Sequence, residues 1–296
     1  MVKIGRLLTA MVTPMDADGK VDYAQARALA KALIDSGSEG LIVTGTTGEA
    51  PTLSVEEKLR MFRETKAAIG DRGAIVAGTG NYNTAESIEM SKEAERIGVD
   101  GLLLTVPYYN KPPQEGLFQH FKAIAGATKL PCIVYNVPSR TSLNMTAETT
   151  VRISNAVENI VGVKEASSNM DQIAQIIGES RKGFLVWSGN DSETFIIMAM
   201  GGYGIISVAS HVVGKQIKNM MELLLAGKIK ESAAENIRLM PVFKGLFVVT
   251  NPIPVKYCTN KVLRVGAPRL PLVTPDEKTA AFLDGLMKKY TIDLPA

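Results

Sequence analysis

Lys164 lies inside an apolar run, residues 160–166, where a charged amine has no obvious structural purpose. The valines and isoleucines around it are typical of a strand buried on both faces, and such a position disfavours the ammonium form. Lowering the pKa of a lysine from about 10.4 to roughly 7 requires on the order of 4 kcal/mol, which burial and neighbouring charges can supply. The run therefore predicts a neutral, nucleophilic amine. The alternative is a lysine at a strand end that extends to water or pairs with Glu165.

A group of small polar residues follows the apolar run at residues 40–44. The group is Gly45, Thr46, Thr47, Gly48 and Glu49. Its glycines allow close backbone approach, and its threonines present hydroxyl and amide groups that suit a small anion. Because no P-loop lysine follows, the pattern favours a carboxylate over a triphosphate. An ordinary glycine turn is the alternative interpretation.

Tyr135 is the candidate proton carrier. Alternate residues of a strand share a face, so Gly162 and Lys164 point the same way, and so do Ile133 and Tyr135. If that face is the interior of a closed sheet, the phenol and the amine come from neighbouring strands at a similar depth. The missing side chain at Gly162 would leave space beside the amine. A tyrosine that only plugs the mouth of the sheet is the alternative.

These residues together fit one reaction type. The amine attacks the ketone of a small 2-oxo acid to form a Schiff base, which tautomerises to an enamine that attacks an aldehyde. The sequence shows no metal or phosphate motif, and we expect neither a cofactor nor a metal. His120 lies within a predicted helix and His211 at the start of one, and we interpret both as structural residues.

Eight short apolar segments alternate with longer segments of helical periodicity. The predicted strands are residues 7–12, 40–44, 74–78, 101–106, 132–137, 160–164, 184–188 and 204–209. Eight βα units in one chain predict an α/β fold, the closed (β/α)8 TIM barrel, whose active site lies at the carboxyl ends of the strands. An open doubly wound sheet is the alternative. However, Gly78-Thr79-Gly80 lacks the third glycine of a dinucleotide-binding motif.

Predicted helices in the first half of the chain lie at residues 23–36, 55–69, 84–97 and 114–127. The first three are preceded by the capping residues Asp22, Ser54 and Asn83. They are followed by the terminating glycines Gly37, Gly70 and Gly98.

No strand is predicted after about residue 226. Residues 228–240, 242–249, 253–265 and 275–290 are predicted to be helical instead. We therefore divide the chain into a barrel domain, residues 1–226, and a C-terminal helical region, residues 227–296, which packs on the barrel.

The composition describes a folded protein with no nucleic-acid partner. The chain has 296 residues, 46% of them hydrophobic, and its 33 basic and 30 acidic residues nearly cancel. Cys132 and Cys258 have no cysteine or histidine at metal-ligand spacing, and we interpret both as reduced core residues of a cytoplasmic protein. The first ten residues are predicted to be a strand rather than a signal peptide, and no stretch approaches a membrane span.

Four motifs follow one another along the chain. They are Gly45-Thr46-Thr47-Gly48-Glu49, Tyr108-Tyr109-Asn110, Tyr135-Asn136-Val137-Pro138-Ser139-Arg140-Thr141 and Gly162-Val163-Lys164-Glu165. In order and spacing they resemble the dihydrodipicolinate synthase family, part of the superfamily of pyruvate-dependent class I aldolases. The resemblance extends over most of the chain and implies a TIM-barrel lyase of lysine and diaminopimelate biosynthesis.

The resemblance implies a catalytic role for Lys164, Tyr135, Thr47 and Tyr109, and a substrate-binding role for Thr46. Lys164 would bind pyruvate as a Schiff base, and Thr46 and Thr47 would hold the pyruvate carboxylate. Thr47, Tyr135 and Tyr109 would form a proton relay, to which Tyr109 is contributed by a neighbouring subunit. The family resemblance thus implies a homotetramer, a pair of tight dimers, in which Tyr109 crosses the tight-dimer interface.

The second substrate implied by the resemblance is aspartate 4-semialdehyde. Arg140 would stand at the entrance and bind its carboxylate, and Gly189 and Ile206 would complete the substrate-binding set. Ser142 departs from the glycine often found in the family and bears on the position of the Arg140 loop.

Relatives in the superfamily use the same lysine on other substrates. N-acetylneuraminate lyase or 2-keto-3-deoxy sugar-acid aldolase activity is therefore the alternative, and a non-catalytic binding protein is a third possibility. Arg140 favours the synthase, because a guanidinium binds a carboxylate through two hydrogen bonds. The pair Thr46-Thr47 favours it too, since neuraminate lyases typically have Ser-Thr there.

Some family members are inhibited by lysine through polar and histidine side chains near the dimer interface. The matching positions here are Ala50, Pro51, Val55, Lys58 and Tyr82, and only Glu86 and Tyr108 look retained. We therefore predict weak or absent inhibition by lysine.

Overall fold

The computed structural model describes residues 4–295. Eight parallel strands close into a barrel in chain order, with β8 hydrogen-bonded to β1. The strands are β1 (Leu7–Ala10), β2 (Gly40–Val43), β3 (Ala74–Gly78), β4 (Gly101–Thr105), β5 (Cys132–Asn136), β6 (Ile160–Glu165), β7 (Leu185–Ser188) and β8 (Gly204–Ser207). The predicted TIM barrel is confirmed, and the open doubly wound sheet is wrong because the first and last strands pair.

Helices alternate with the strands and continue after the last one. They are α1 (Tyr23–Asp35), α2 (Val55–Ile69), α3 (Thr84–Ile97), α4 (Gln114–Gly126), α5 (Pro138–Thr141), α6 (Ala147–Ala156), α7 (Met170–Glu179), α8 (Thr194–Ala199), α9 (Ser210–Leu225), α10 (Ile229–Gly245), α11 (Ile253–Asn260) and α12 (Glu277–Met287). Across residues 4–295 none of them is both long and apolar enough to cross a membrane.

The predicted helix caps are confirmed. The side chains of Asp22, Ser54 and Asn83 each accept a hydrogen bond from a backbone N–H in the first turn of α1, α2 and α3. Gly70 and Gly98 end α2 and α3 with positive φ angles of 55° and 85°, which glycine adopts without strain.

Two predicted boundaries in the C-terminal region are wrong. Residues 228–240 and 242–249 do not form two helices, because α10 runs through Pro241 to Gly245. Proline lacks an N–H and normally breaks a helix, but Val242 and Phe243 are buried directly after it and hold the helix in place. The helix predicted at residues 253–265 ends earlier, at Asn260.

Three apolar clusters hold the molecule together. The first fills the barrel interior, and the second lies between the strands and the surrounding helices. The third packs the helices from α9 through α12 against the barrel, where it includes Leu7 and Ile205. The boundary proposed at residues 226 and 227 falls in the turn between α9 and α10. Residues 1–3 and 296, which the two predicted regions include, lie outside the described residues. Cys132 and Cys258 are buried free thiols, as predicted.

Closure of the barrel depends on Gly204 at the start of β8. A Cβ atom there would stand 2.1 Å from the carbonyl oxygen of Arg6. We expect Gly204→Ala to lower the free energy of unfolding by about 1–3 kcal/mol, because the Arg6 backbone must move. Equilibrium denaturation with urea measures this change.

Gly178, near the end of α7, provides the matched control. Among the described residues, nothing lies within 4 Å of a Cβ atom built there. Gly178→Ala should therefore raise the free energy of unfolding by roughly 0.5–1 kcal/mol, the usual gain of alanine over glycine in a helix. A Gly204→Ala protein as stable as the wild type would contradict the prediction.

Candidate active site

Strand β6 carries Lys164 into the barrel interior. In the parallel register, Lys164 pairs with Tyr135 of β5 and with Trp187 of β7, and these residues face the same way. The Lys164 Nζ lies 4.1 Å from the centre of the Tyr135 ring, and each of the two residues is only 5% exposed. The predicted meeting of phenol and amine at one depth is confirmed.

Glu165 faces the other way and does not neutralise Lys164. Its carboxylate accepts hydrogen bonds from the side chains of Asn136 and Gln172 and from the backbone N–H of Ser167. The two structural explanations of Lys164 are therefore wrong, because the amine neither pairs with Glu165 nor extends to water.

Burial lowers the pKa of Lys164 to about 7, the value that the sequence predicted. The negative charge of Asp191 opposes this effect and raises the pKa, whereas the positive charge of Arg140 lowers it further. Near neutral pH a large fraction of the amine is thus unprotonated and able to attack a carbonyl carbon.

Asp191 was not assigned a role from the sequence. It is 3% exposed, and its carboxylate accepts hydrogen bonds from Ser207 Oγ and from the backbone N–H groups of Val208 and Ala209. Three donors at the end of β8 therefore hold in place a carboxylate whose charge acts on Lys164. A carboxylate directly after a strand end was the available sequence signal.

The space predicted beside Gly162 is filled. A Cβ atom at Gly162 would stand 2.7 Å from the ring of Trp187, and the indole Nε1 donates to the carbonyl oxygen of Gly5. The prediction of open space is therefore wrong, because the glycine makes room for a neighbouring indole and not for a ligand. The indole helps to exclude water from the lysine.

Tyr135 keeps its proton at neutral pH. Burial raises the pKa of the phenol to about 12, while the charge of Arg140 and a hydrogen bond with Thr46 lower it in part. A neutral phenol beside an amine can both donate and accept a proton.

The residues after β2 form a tightly bent loop, which we call the cradle (residues 44–49). Thr44 and Glu49, at its two ends, have positive φ angles of 54° and 58°. A Cβ atom at Gly48 would stand 3.1 Å from the carbonyl oxygen of Met11, so the backbone approach here needs glycine. The Thr47 hydroxyl oxygen accepts a hydrogen bond of 2.8 Å from Asn251 Nδ2.

Arg140 lies on α5 and lines a cavity of about 220 Å³ together with Thr46 of the cradle. Among the described residues, the lining of this cavity does not include Lys164. Ser142, the departure noted in the sequence, has a φ angle of 54°. A glycine adopts that conformation freely, so serine keeps the same loop shape at some cost in strain.

The other predicted site residues differ in how deeply they are buried and in whether they lie near Lys164. Ile206 is fully buried in the barrel interior, and the Gly189 N–H donates to the carbonyl oxygen of Glu165 at the end of β6. Tyr109 is 90% exposed with a φ angle of 69°, so a single chain does not bring it into the buried group around Lys164. His120 and His211 bond Thr84 and the Val208 carbonyl oxygen, away from Lys164.

The C-terminal region supplies contacts to the cradle that the sequence did not predict. Lys256 is fully buried, and its Nζ bonds Glu49 Oε1 at 2.7 Å and the carbonyl oxygens of Thr13 and Ala267. Lys256 lies in an apolar segment, just as Lys164 does, and that signal was available in the sequence. Asn251, which contacts Thr47, was not assigned a role from the sequence.

Comparison with known proteins settles the family. A family model described as the dihydrodipicolinate synthetase family matches residues 3–289. The chain belongs to this family. Over 296 residues it is 57% identical to the 4-hydroxy-tetrahydrodipicolinate synthase of Dehalococcoides mccartyi, covering 100% of this chain and 99% of that one. The resemblance drawn from the four motifs is thereby confirmed.

Solved structures of the same family have the same fold. A dihydrodipicolinate synthase from Bacillus anthracis superposes with a TM-score of 0.96 at 41% identity, covering 98% of this chain and 100% of that one. The enzyme from Cyanidioschyzon merolae, solved with lysine bound, also has a TM-score of 0.96 at 41% identity, covering 98% and 99%.

The buried amine should lower the stability of the fold in a pH-dependent way. Between the folded-state pKa of about 7 and the roughly 10.4 of an unfolded lysine, the unfolded chain holds a proton that the folded chain has lost. Wild-type stability therefore rises with pH across this window. We expect Lys164→Met to raise the free energy of unfolding by on the order of 2–4 kcal/mol near pH 6, with a gain that shrinks towards pH 10.

Lys31 is the matched control, because it is an exposed lysine on α1. Lys31→Met should change the free energy of unfolding by less than about 0.5 kcal/mol at either pH. Denaturant titrations at the two pH values measure both variants. A gain for Lys164→Met that did not depend on pH would refute the account of the buried amine.

Proposed function

We propose that this protein is a 4-hydroxy-tetrahydrodipicolinate synthase, which condenses pyruvate with L-aspartate 4-semialdehyde in the cytoplasm. The single observation that carries the proposal is the buried Lys164 amine, with a pKa of about 7, against the Tyr135 ring. Family membership supports the choice of substrates.

The first half of the reaction takes place on Lys164. The neutral amine attacks the C2 carbonyl of pyruvate, water leaves, and the resulting Schiff base loses a C3 proton to become an enamine. Thr46 and Thr47 hold the pyruvate carboxylate, and Tyr135 and Thr47 carry protons. Since the phenol is protonated at neutral pH, it can supply the proton that the departing water needs.

The second half requires the aldehyde. The enamine carbon attacks the aldehyde carbon of aspartate semialdehyde, whose carboxylate binds the guanidinium of Arg140. Arg140 and Thr46 line one cavity, which supports the entry of the second substrate on that side. Gly189 and Ile206 complete the substrate-binding set.

Pyruvate with borohydride should trap an adduct on the peptide that contains Lys164, and Lys164→Ala should abolish both the adduct and turnover. Tyr135→Phe should keep pyruvate binding but slow proton transfer by about 10² to 10⁴. Replacement of Arg140 should mainly impair use of the aldehyde. Mass spectrometry of the tryptic peptide and a coupled assay with aspartate semialdehyde give these readouts.

The same assays separate the alternatives. If N-acetylneuraminate or a 2-keto-3-deoxy sugar acid were turned over faster than aspartate semialdehyde, the protein would be another pyruvate-dependent aldolase and not the synthase. A wild-type protein without an adduct would leave only a binding protein on this scaffold.

Tyr109 supports a shared active site in a homotetramer built as two tight dimers. Its side chain is 90% exposed, and tyrosine is a residue type enriched in protein–protein interfaces. We infer that Tyr109 crosses the tight-dimer interface and completes the proton relay with Thr47 and Tyr135 of the partner subunit.

Subunit mixing tests this inference. The Lys164→Ala protein should be inactive and the Tyr109→Phe protein weakly active, but refolding them together should recover part of the wild-type activity. The reason is that one site of a mixed dimer receives both an intact lysine and an intact tyrosine. Sedimentation confirms assembly, and a mixture no more active than its components would refute the shared site.

We also propose that lysine inhibits this enzyme weakly or not at all. The seven positions considered above line one cavity of about 350 Å³, and they are Ala50, Pro51, Val55, Lys58, Tyr82, Glu86 and Tyr108. Ala50, Pro51 and Val55 offer no side-chain hydrogen bond to an amino acid's charged groups, and the Lys58 cation repels the two ammonium groups of a lysine ligand. Activity measured against added lysine is expected to stay near its starting value, and strong inhibition at sub-millimolar lysine would contradict this.

A further inference from the structure

Asn251 connects the C-terminal region to the cradle. It lies in the turn between α10 and α11 and is 4% exposed, although Thr250 before it is exposed. Its side-chain Nδ2 donates to Thr47 Oγ1 at 2.8 Å, and its backbone carbonyl oxygen accepts from Arg140 Nη2 at 3.3 Å. One residue thus contacts two groups to which the proposed function gives different tasks.

Only one half of the Asn251 amide is paired. Its Oδ1 is buried and has no hydrogen-bond partner among residues 4–295. Buried polar atoms are normally paired, and an unpaired acceptor costs free energy. The amide oxygen of Asn251 therefore adds nothing to the stability of the turn, and its nitrogen is the half that contacts Thr47.

The direction of this hydrogen bond has a chemical consequence. A hydroxyl group has one proton, and a Thr47 oxygen that accepts from Asn251 keeps its own proton for another acceptor. In the proposed relay, that acceptor is the next group towards Tyr135 or the substrate. An amide donor behind Thr47 therefore sets the direction in which the hydroxyl can donate.

A second set of contacts, at Glu49, also attaches the C-terminal region to the cradle. Lys256, one turn into α11, bonds Glu49 at the other end of the cradle, and the Arg269 backbone N–H also donates to Glu49. Because α11 is fixed to the cradle at Glu49, two residues after Thr47, the buried ion pair holds the Asn251 backbone close to the Thr47 hydroxyl.

We propose that Asn251 is a positioning residue of the active site, which orients the Thr47 hydroxyl so that it donates along the proton relay. The assignment rests on the proposed function, because it assumes that a pyruvate Schiff base forms and that Thr47 moves a proton.

Exchange of the pyruvate methyl protons with deuterium oxide tests this step without the aldehyde. The exchange reports enamine formation, and NMR follows it directly. With Asn251→Ala we expect the borohydride-trapped adduct to form as in the wild type, while the exchange slows by about 10-fold to 100-fold. Asn251→Asp should slow it more, because an ionised carboxylate can only accept and turns the Thr47 hydroxyl the wrong way.

Two controls separate positioning from stability. Asn236 of α10 is also a buried asparagine with an unpartnered Oδ1 among the described residues, and Asn236→Ala should leave the exchange rate unchanged. In a Thr47→Val background, Asn251→Ala should cause no further slowing, because its target is gone. Thermal unfolding identifies folded variants, and the nearly isosteric Asp variant decides the test if the Ala variant does not fold.

Three results would overturn the assignment. They are wild-type exchange in the folded Asn251 variants, equal slowing by Asn236→Ala, and undiminished slowing in the Thr47→Val background. A wild-type protein that forms no pyruvate adduct would instead overturn the proposed function, and the assignment with it.

Discussion

Exclusion of water from one amine is the constraint around which this barrel is organised. A lysine is charged in water, but Tyr135, Trp187 and the closed ring of strands replace the hydration shell of Lys164 and lower the pKa of its amine to about 7. Asp191 limits the effect, since its fixed negative charge raises the pKa that burial lowers. The two effects leave the pKa of Lys164 near neutral pH, where the amine exists in both its unprotonated and its protonated form.

Local patterns predicted the fold and the centre of the site. The alternation of apolar runs with helical segments was sufficient to predict the eight strands, because in a parallel barrel each strand is buried on both faces and its sequence is apolar throughout. Strand parity was sufficient to place Tyr135 beside Lys164, because neighbouring parallel strands keep the same facing direction. The four motifs narrowed the chemistry to one family, which whole-chain similarity confirms.

Long-range pairings could not be predicted in the same way. The contact between Asn251 and Thr47 joins positions 204 residues apart, and that between Lys256 and Glu49 joins positions 207 apart. No local periodicity encodes such pairs, and the indole that fills the space at Gly162 comes from another strand. The helix break expected at Pro241 failed for a related reason, since tertiary burial outweighed a local preference.

The buried ion pair between Lys256 and Glu49 has a consequence for the order in which this protein matures. Every barrel strand, together with Lys164 and Tyr135, is encoded upstream of α9, so these parts leave the ribosome early. Asn251, Lys256 and Arg269 emerge later, and until then Glu49 has neither its cation nor its amide partner. During translation, the eight strands can therefore assemble before the cradle acquires the contacts that fix its shape, so this loop is completed later than the barrel that carries it.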